Sequence, residues 1–256
     1  MQAGRHGNPA HRIRERRRVS VAALVILVLV ATFAAFVQGS SGLGFALIVA
    51  PVAGLIEPAL LPGALLALML PLNAFVAWRE RRHIDLRGAG WITAARLIAT
   101  PAGIFLLAVF PVDRLGVLIG VSTILAALVS LLAPAFAPRP PAYVAAGLVT
   151  GLSETATGIG GPPLALVYQH RPAPELRATI ALCFLIGEVA SLVGLAIAHR
   201  LAGPGLTASM WLLPGVLIGS WLSSLVHHKV GGKGLRLGVL CFAILSGALV
   251  LATAHG

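Results

Sequence analysis

Long apolar runs dominate the pattern of this chain. Seven of them have the length and composition of membrane-spanning helices, which need about 18 or more apolar residues. They cover residues 20–38, 60–78, 89–111, 115–133, 177–198, 206–226 and 235–254. The pattern therefore predicts an all-α integral membrane protein with about 7 to 8 transmembrane helices.

Glycine-rich segments interrupt two further apolar stretches, Leu43–Ile56 and Tyr143–Tyr168. The first glycine knot is residues 38–44, QGSSGLG, and the second glycine knot is residues 151–163, GLSETATGIGGPP. Glycine frees the backbone angles and proline cannot donate a helix hydrogen bond, so each knot breaks a helix at membrane depth. Such a backbone survives around a buried polar cavity, and a matching pair in two halves of a chain indicates a transporter's substrate site.

Basic residues in the connections set the expected orientation. They cluster at residues 79–83, at Arg139, and at residues 170–177 and 227–236, and the tail 1–18 is rich in arginine. Cytoplasmic segments carry an excess of Lys and Arg, so we expect the N-terminus and these four connections in the cytoplasm of a bacterial cell, with the chain in its inner membrane. Both knot-bearing segments must then be re-entrant hairpins, the first from outside and the second from inside. The alternative, that these segments span fully, stays open.

The two halves of the chain also align. Gly42 and Gly44 match Gly158 and Gly160 at an offset of 116, and an offset of 115 over the following span places Asn73 opposite Glu188. We therefore expect a tail (1–18), a first membrane repeat (19–133), a Pro-rich linker (134–141) and a second repeat (142–256). Three spans follow each knot-bearing hairpin, and because three is odd the two copies are inverted, as in alternating-access carriers. Chance similarity of two Gly-rich membrane segments is the other explanation.

Composition agrees with a membrane protein. Of 256 residues, 58% are hydrophobic and 11% are charged, whereas soluble domains have about a quarter charged residues. The net charge of +11 resides in short connections without interleaved aromatics, so it does not indicate a nucleic-acid partner. Histidines and cysteines show no metal-ligand spacing, and no cofactor is expected.

The knots favour an anion as the ligand. Helices that restart after a break present free N–H groups and the positive end of a helix dipole, and nearby hydroxyls and an amide can complete the shell. In membranes, however, small residues also serve simply to let helices approach closely. The predicted substrate-binding residues are Gln38, Ser40, Ser41, Gly42, Gly44, Ser153, Thr155, Thr157, Gly158, Gly160, Gly161 and Pro162.

Two carboxyl groups fall at membrane depth, where an ionisable side chain is a functional hypothesis by default. Glu154 lies in the second glycine knot and Glu188 lies in the middle of a span. Both are candidates for exchanging a coupling proton. Glu188 can equally be hydrogen-bonded to a neighbouring helix, Glu154 can cap a helix, and Asn73 can bond helices together.

The knots resemble the signature of the sulfite exporter TauE/SafE family of bacterial membrane transporters. The similarity lies in residues 38–45 followed by Val49-Ala50-Pro51, and in residues 157–163; it extends over most of residues 20–254. It implies transport of a small sulfur-containing anion, such as sulfite or an organosulfonate, with ion coupling. Many members have a third consecutive glycine where this chain has Phe45 and Pro162, so the resemblance does not fix the substrate.

Two other functions compete with a secondary carrier. One is a passive anion channel, whose flux would ignore an imposed proton gradient. The other is an intramembrane hydrolase, because Gly39-Ser40-Ser41-Gly42 fits a Gly-x-Ser-Gly pattern with Ser41 as nucleophile. Such an enzyme needs a base beside the serine, and no histidine falls within a predicted span, so we expect a transporter rather than an enzyme.

Overall fold

The described residues form helices joined by short connections. A computed structural model describes residues 21–110, 115–132, 139–201, 203–227 and 233–254. The tail 1–18 and most of the linker 134–141 lie outside them. The α-helices are α1 (Val21–Ser41), α2 (Phe45–Ile56), α3 (Gly63–Arg79), α4 (Leu86–Val109), α5 (Leu115–Leu132), α6 (Pro140–Thr157), α7 (Gly161–Tyr168), α8 (Ala173–Ile197), α9 (Gly203–Val226) and α10 (Lys233–Ala254).

Apolar helices of membrane-spanning length are present, which agrees with the all-α membrane class. Within the described residues, four stretches are long and apolar enough to cross a bilayer: α1, α4, α8 and Gly205–Val226 of α9. Shorter apolar helices occupy Phe45–Ile56, Gly63–Arg79, Gly116–Leu132 and Leu237–Thr253. The last three coincide with predicted spans, whereas the first is an arm of the first glycine knot.

Close parallel packing through glycines fixes the direction of α1. Gly215 and Gly219 of α9 lie against Thr32 of α1, and Gly39 of α1 lies against Ser223 of α9. The contacts advance along both helices together, so α1 and α9 run in the same direction. Helices α4 and α6 are parallel in the same way, because Gly147 lies against Ile92 and Gly103 lies against Thr155. A side chain at these glycines would hold the backbones apart.

Several helix ends meet on one face, which we call the basic face and define as residues 79–85, 169–172 and 227. Arg79, at the end of α3, donates to the carbonyl of Gly39 (2.7 Å) and to Oγ of Ser223 (3.1 Å). The ends of α1 and α9 therefore lie at this face. The start of α3 lies at the opposite face, where Gly63 contacts Leu201.

The two broken segments form hairpins that enter from opposite faces. Helix α6 begins near the basic face, where the rings of Tyr143 and Tyr168 lie 5.7 Å apart, and α7 ends there, with the hydroxyl of Tyr168 donating to Asp85 (3.0 Å). Helix α1 starts at the opposite face and α2 returns to that face. This agrees with the predicted directions of the two hairpins.

The first arm of the first hairpin differs from the expectation. We expected a separate span at residues 20–38 that starts on the side of the basic connections, but α1 is itself the arm that leads into the first glycine knot, and Val21 lies at the face opposite Arg79. The physical reason is the glycine-mediated parallel packing against α9. The number of basic residues in the connections does not predict which helices pack together, so it could not predict the contact between α1 and α9.

Candidate functional site

Both helices that lead into a glycine knot end with the same hydrogen-bonded cap. The amide of Gly42 donates to Gln38 O (2.7 Å), and that of Gly158 donates to Glu154 O (2.7 Å). Gly42 and Gly158 have φ of 87° and 82°, a left-handed conformation that favours glycine. The caps therefore match at the predicted offset of 116.

The hydroxyls of Ser41 and Thr157 complete these caps. Ser41 Oγ lies 2.8 Å from Val37 O and accepts from the amide of Leu43 (3.4 Å). Thr157 Oγ1 donates to Ser153 O (2.7 Å) and accepts from the amide of Ile159 (3.2 Å). Both were predicted ligand contacts, but these hydroxyls are engaged within their own loops.

A chain of buried side-chain hydrogen bonds connects the first glycine knot to α8. The amide of Phe45, at the start of α2, donates to Gln38 Oε1 (3.0 Å). The Gln38 amide donates to Asn73 Oδ1 (2.9 Å), and the Asn73 amide donates to Glu188 Oε1 (2.7 Å). All three side chains are at most 2% exposed. Gln38 is thus brought together with the polar pair that the internal alignment singled out.

The contact between Asn73 and Glu188 joins residues that the alignment placed at equivalent positions. This hydrogen bond (2.7 Å) joins helices α3 and α8 inside the protein. Among the described residues, Glu188 Oε2 has no hydrogen-bond partner. The alternative role of Asn73, bonding two helices, is the one that its geometry displays.

An ion pair that the sequence analysis missed lies under the second glycine knot. Nη2 of Arg96 in α4 is 2.8 Å from Oε2 of Glu154, and both side chains are fully buried. Nη1 of Arg96 donates to Cys183 O (3.0 Å), and the guanidinium carbon lies 5.6 Å from the centre of the Phe184 ring. The sequence feature that could have indicated this ion pair is a single arginine inside the predicted span 89–111. An arginine at membrane depth is as exceptional as a buried carboxyl.

Glycines make room for this ion pair and for contact between the knots. A Cβ on Gly187 would overlap the guanidinium of Arg96, and one on Gly160 would overlap the carboxyl of Glu154. The position of a Cβ on Gly161 lies 3.6 Å from Cβ of Leu43. The two knots therefore touch, and the charged pair lies beside their contact.

Backbone donors at the restarted helices are fewer than predicted. Pro162 and Pro163 lack an N–H group, so Gly161 and Leu164 supply the only backbone donors in the first four residues of α7. At α2, the amide of Phe45 is already bound by Gln38. An anion bound between the knots would therefore need side-chain donors. The guanidinium of Arg96, beside the second glycine knot, is a charged donor of this kind.

The other predicted site residues are dispersed along the two knots. Thr155 Oγ1 and Ser191 Oγ are hydrogen-bonded (2.7 Å), and the Ser153 carbonyl accepts from Thr157. Ser40 Oγ is buried without a hydrogen-bond partner among the described residues, and its carbonyl lies 3.4 Å from Nη1 of Arg177. Gly44 lies against Val37, and Pro162 is buried.

A second charged cluster lines a cavity at the basic face. Glu80 pairs with Arg177 (2.8 Å) and with Arg79 (3.2 Å), and Nε2 of His227 lies 3.5 Å from the same carboxyl oxygen. The cavity has a volume of about 450 Å³. Because Arg79 and Arg177 also reach the carbonyls of Gly39 and Ser40, this cavity adjoins the end of α1.

The hydrogen bonds of Ser41 do not resemble those of a hydrolase. In the described part of the chain, its hydroxyl contacts backbone groups of its own loop, and no histidine or carboxylate is bonded to it. Within the described ranges, no three His, Cys, Asp or Glu side chains cluster as metal ligands would.

Comparison with known proteins gives one finding. The family model of the sulfite exporter TauE/SafE matches residues 27–250, which include both glycine knots and most of the chain. Neither the curated proteins nor the solved structures give a match. The helix content, the paired knots and the extent of this match agree, and the chain belongs to the sulfite exporter TauE/SafE family.

Proposed function

We propose that this protein is a secondary carrier that moves a small sulfur-containing anion, such as sulfite or an organosulfonate, across the bacterial inner membrane. The family supports a membrane transporter of sulfite or related anions. The observation that carries the proposal is the pair of helix breaks with identical caps, which enter from opposite faces and touch through Leu43 and Gly161. Oppositely directed broken helices that meet at depth are the usual substrate site of alternating-access carriers.

The proposed architecture is two inverted repeats, residues 19–133 and 142–256. Each contributes a hairpin and three further helices, α1–α5 and α6–α10. The contact between Asn73 and Glu188 supports this symmetry because the two residues hold equivalent positions. Rocking of one half against the other would then expose the same site to either face.

The proposed site lies where the two knots touch. Gly42, Gly44, Gly158, Gly160 and Gly161 shape it, with Pro162 at its edge, and Gln38 and Ser40 supply polar groups from the first knot. Ser153, Thr155, Ser41 and Thr157 support its walls through local hydrogen bonds. Glu154 and Glu188 are the carboxyls available for a coupling proton. The partners are thus the anion, the proton and the lipid bilayer.

Counterflow in proteoliposomes tests this function. Vesicles loaded with unlabelled sulfite, methanesulfonate or sulfoacetate are diluted into a trace of the same labelled compound, with chloride as the comparison anion. A carrier gives transient accumulation of label, because exchange is faster than net loss. Accumulation with none of the sulfur compounds contradicts the proposal.

The same vesicles distinguish a carrier from a passive channel. An imposed pH gradient should drive concentrative uptake of the transported anion through a proton-coupled carrier. Flux that responds only to the anion's own gradient, with no counterflow, would establish the channel.

A further inference from the structure

The buried pair of Arg96 and Glu154 places opposite charges beside the contact between the knots. Both side chains are 0% exposed. Removing two charges from solvent costs more than a simple attraction returns unless the geometry is very good. Here Nη2 and Oε2 lie 2.8 Å apart without the angles of a hydrogen bond, and Arg96 Nε and Glu154 Oε1 have no partner among the described residues.

The unpaired N–H groups of Arg96 have the chemistry of a site that binds an oxyanion. A guanidinium presents parallel N–H donors that match two oxygens of a sulfite or sulfonate group, as they match a carboxylate. The carboxylate of Glu154 therefore occupies the position that a substrate oxyanion would take. Gly187 leaves the space in which the guanidinium lies, and Gly160 leaves the space for the carboxyl.

The charges around the pair limit what can bind. Helix α4 contributes Arg96 and α6 contributes Glu154, while α8 contributes Glu188 and the thiol of Cys183, both within electrostatic reach of Arg96. Facing groups on α3 and at the start of α7 are neutral, namely Asn73 and the glycines of the knot. While Glu154 is ionised, its carboxylate neutralises the charge of Arg96 and leaves none for an entering anion.

We propose that Arg96 binds the anionic substrate and that Glu154 takes the substrate's place in the empty carrier, so that an anion binds only when Glu154 carries a proton. This inference rests on the proposed function and names Glu154 as the residue that couples anion transport to a proton. Protonation neutralises the competing carboxyl and releases the guanidinium. One proton then enters the site with each monovalent anion, and the net charge of the loaded site equals that of the empty one.

The direct test measures substrate affinity against pH with a probe whose charge is constant. Methanesulfonate stays monoanionic between about pH 5.5 and pH 8, whereas carboxyls, histidines and sulfite itself can titrate there. With labelled methanesulfonate, the half-saturation concentration of the wild type should rise about tenfold per pH unit once Glu154 begins to lose its proton. Labelled sulfite at one fixed pH is the second probe, should methanesulfonate not be exchanged.

Glu154→Gln should separate binding from coupling. The neutral amide leaves Arg96 free at every pH, so counterflow should continue with a half-saturation concentration that no longer depends on pH, and an imposed pH gradient should no longer drive accumulation. Glu175→Gln is the matched control, because Glu175 is a half-buried carboxyl that pairs with the exposed Arg171 at 3.6 Å, away from the knots. It should retain the wild-type pH dependence.

Arg96→Gln should abolish exchange, and Arg96→Lys should retain part of it. Arg96→Gln leaves the carboxyl of Glu154 buried without its cation, so misfolding is a separate risk. The double variant Arg96→Gln/Glu154→Gln removes both charges; it should elute as a folded protein in detergent and still fail to exchange the anion.

The outcomes separate the two proposals. A wild type that exchanges no sulfur compound overturns the proposed function and the coupling with it. A wild type that exchanges the anion, beside a Glu154→Gln variant that keeps pH-dependent affinity and proton-driven accumulation, overturns the coupling alone. So does a folded double variant with the wild-type half-saturation concentration.

Discussion

At the scale of the residue, two polar constellations occupy the interior where the knots meet. One is the hydrogen-bonded chain from Gln38 through Asn73 to Glu188, and the other is the pair of Arg96 and Glu154. A buried polar group is costly unless it is bonded, so each member depends on its neighbours. The carboxyl of Glu188 and that of Glu154 are close enough to influence each other, which links the two constellations electrostatically.

Gly187→Ala tests the room left for Arg96. The added methyl would overlap the guanidinium, so we expect the arginine to move away from Glu154 and anion exchange to fall by about tenfold or more, the equivalent of roughly 1.4 kcal/mol. Gly90→Ala is the control, because a Cβ on Gly90 would meet nothing within 4 Å. Equal counterflow rates for the two variants would show that the position of Arg96 does not matter.

Asn73→Leu tests the hydrogen-bonded chain of Gln38, Asn73 and Glu188. It leaves the amide of Gln38 and one oxygen of Glu188 without partners, so we expect a loss of about 1 kcal/mol or more of stability. The measurement is the midpoint of thermal unfolding in detergent, compared with Asn73→Gln, which keeps the amide. An unchanged midpoint for Asn73→Leu would mean that the chain contributes nothing to stability.

At the scale of the element, the caps of α1 and α6 are the same structure made twice. Ser41 and Thr157 each satisfy the last turn of a helix and the amide two residues further on. A helix end inside a membrane has no water to satisfy its carbonyls, so such a cap stabilises the break. The hydroxyls that the sequence suggested for the ligand are therefore needed by the backbone.

Removing either cap should have a similar effect. Ser41→Ala and Thr157→Ala should each lower the free energy of unfolding by about 0.5 to 1.5 kcal/mol, because an amide and a carbonyl lose a partner. Ser246→Ala is the matched control: its hydroxyl makes the same bond to a carbonyl four residues back (2.7 Å), but on an exposed part of α10. Three equal unfolding midpoints would contradict a special role for the caps.

At the scale of the whole molecule, the sequence predicted the parts that depend on local pattern. The glycine-rich composition of the two knots predicted that Gly42 and Gly158 interrupt helices. The alignment placed Asn73 opposite Glu188, and these two side chains are hydrogen-bonded in the structure. The role of Arg96 was not predicted, because it depends on the ion pair with Glu154, which is 58 positions away in the chain. The direction of α1 depends on which glycines face Thr32 and Ser223, and a single sequence does not specify such long-range contacts.

The arrangement of α1 leads to a prediction about the faces of the protein. Val21 and His83 are both exposed and belong to opposite faces. Single cysteines at these positions, in a chain from which Cys183 and Cys241 have been replaced, should be labelled by an impermeant maleimide from opposite sides of the membrane. Labelling of both from the same side would contradict the parallel packing of α1 with α9.

The central claim is that a small anion passes through the contact between the two knots. Counterflow of labelled sulfite by Gly160→Val, beside the wild type and Gly90→Val, tests it most directly. The Cβ of a valine at Gly160 would overlap the carboxyl of Glu154, whereas a Cβ at Gly90 would meet nothing within 4 Å. We predict transient accumulation of sulfite by the wild type and Gly90→Val, and none by an equal amount of folded Gly160→Val; counterflow by Gly160→Val at the wild-type rate would contradict the claim.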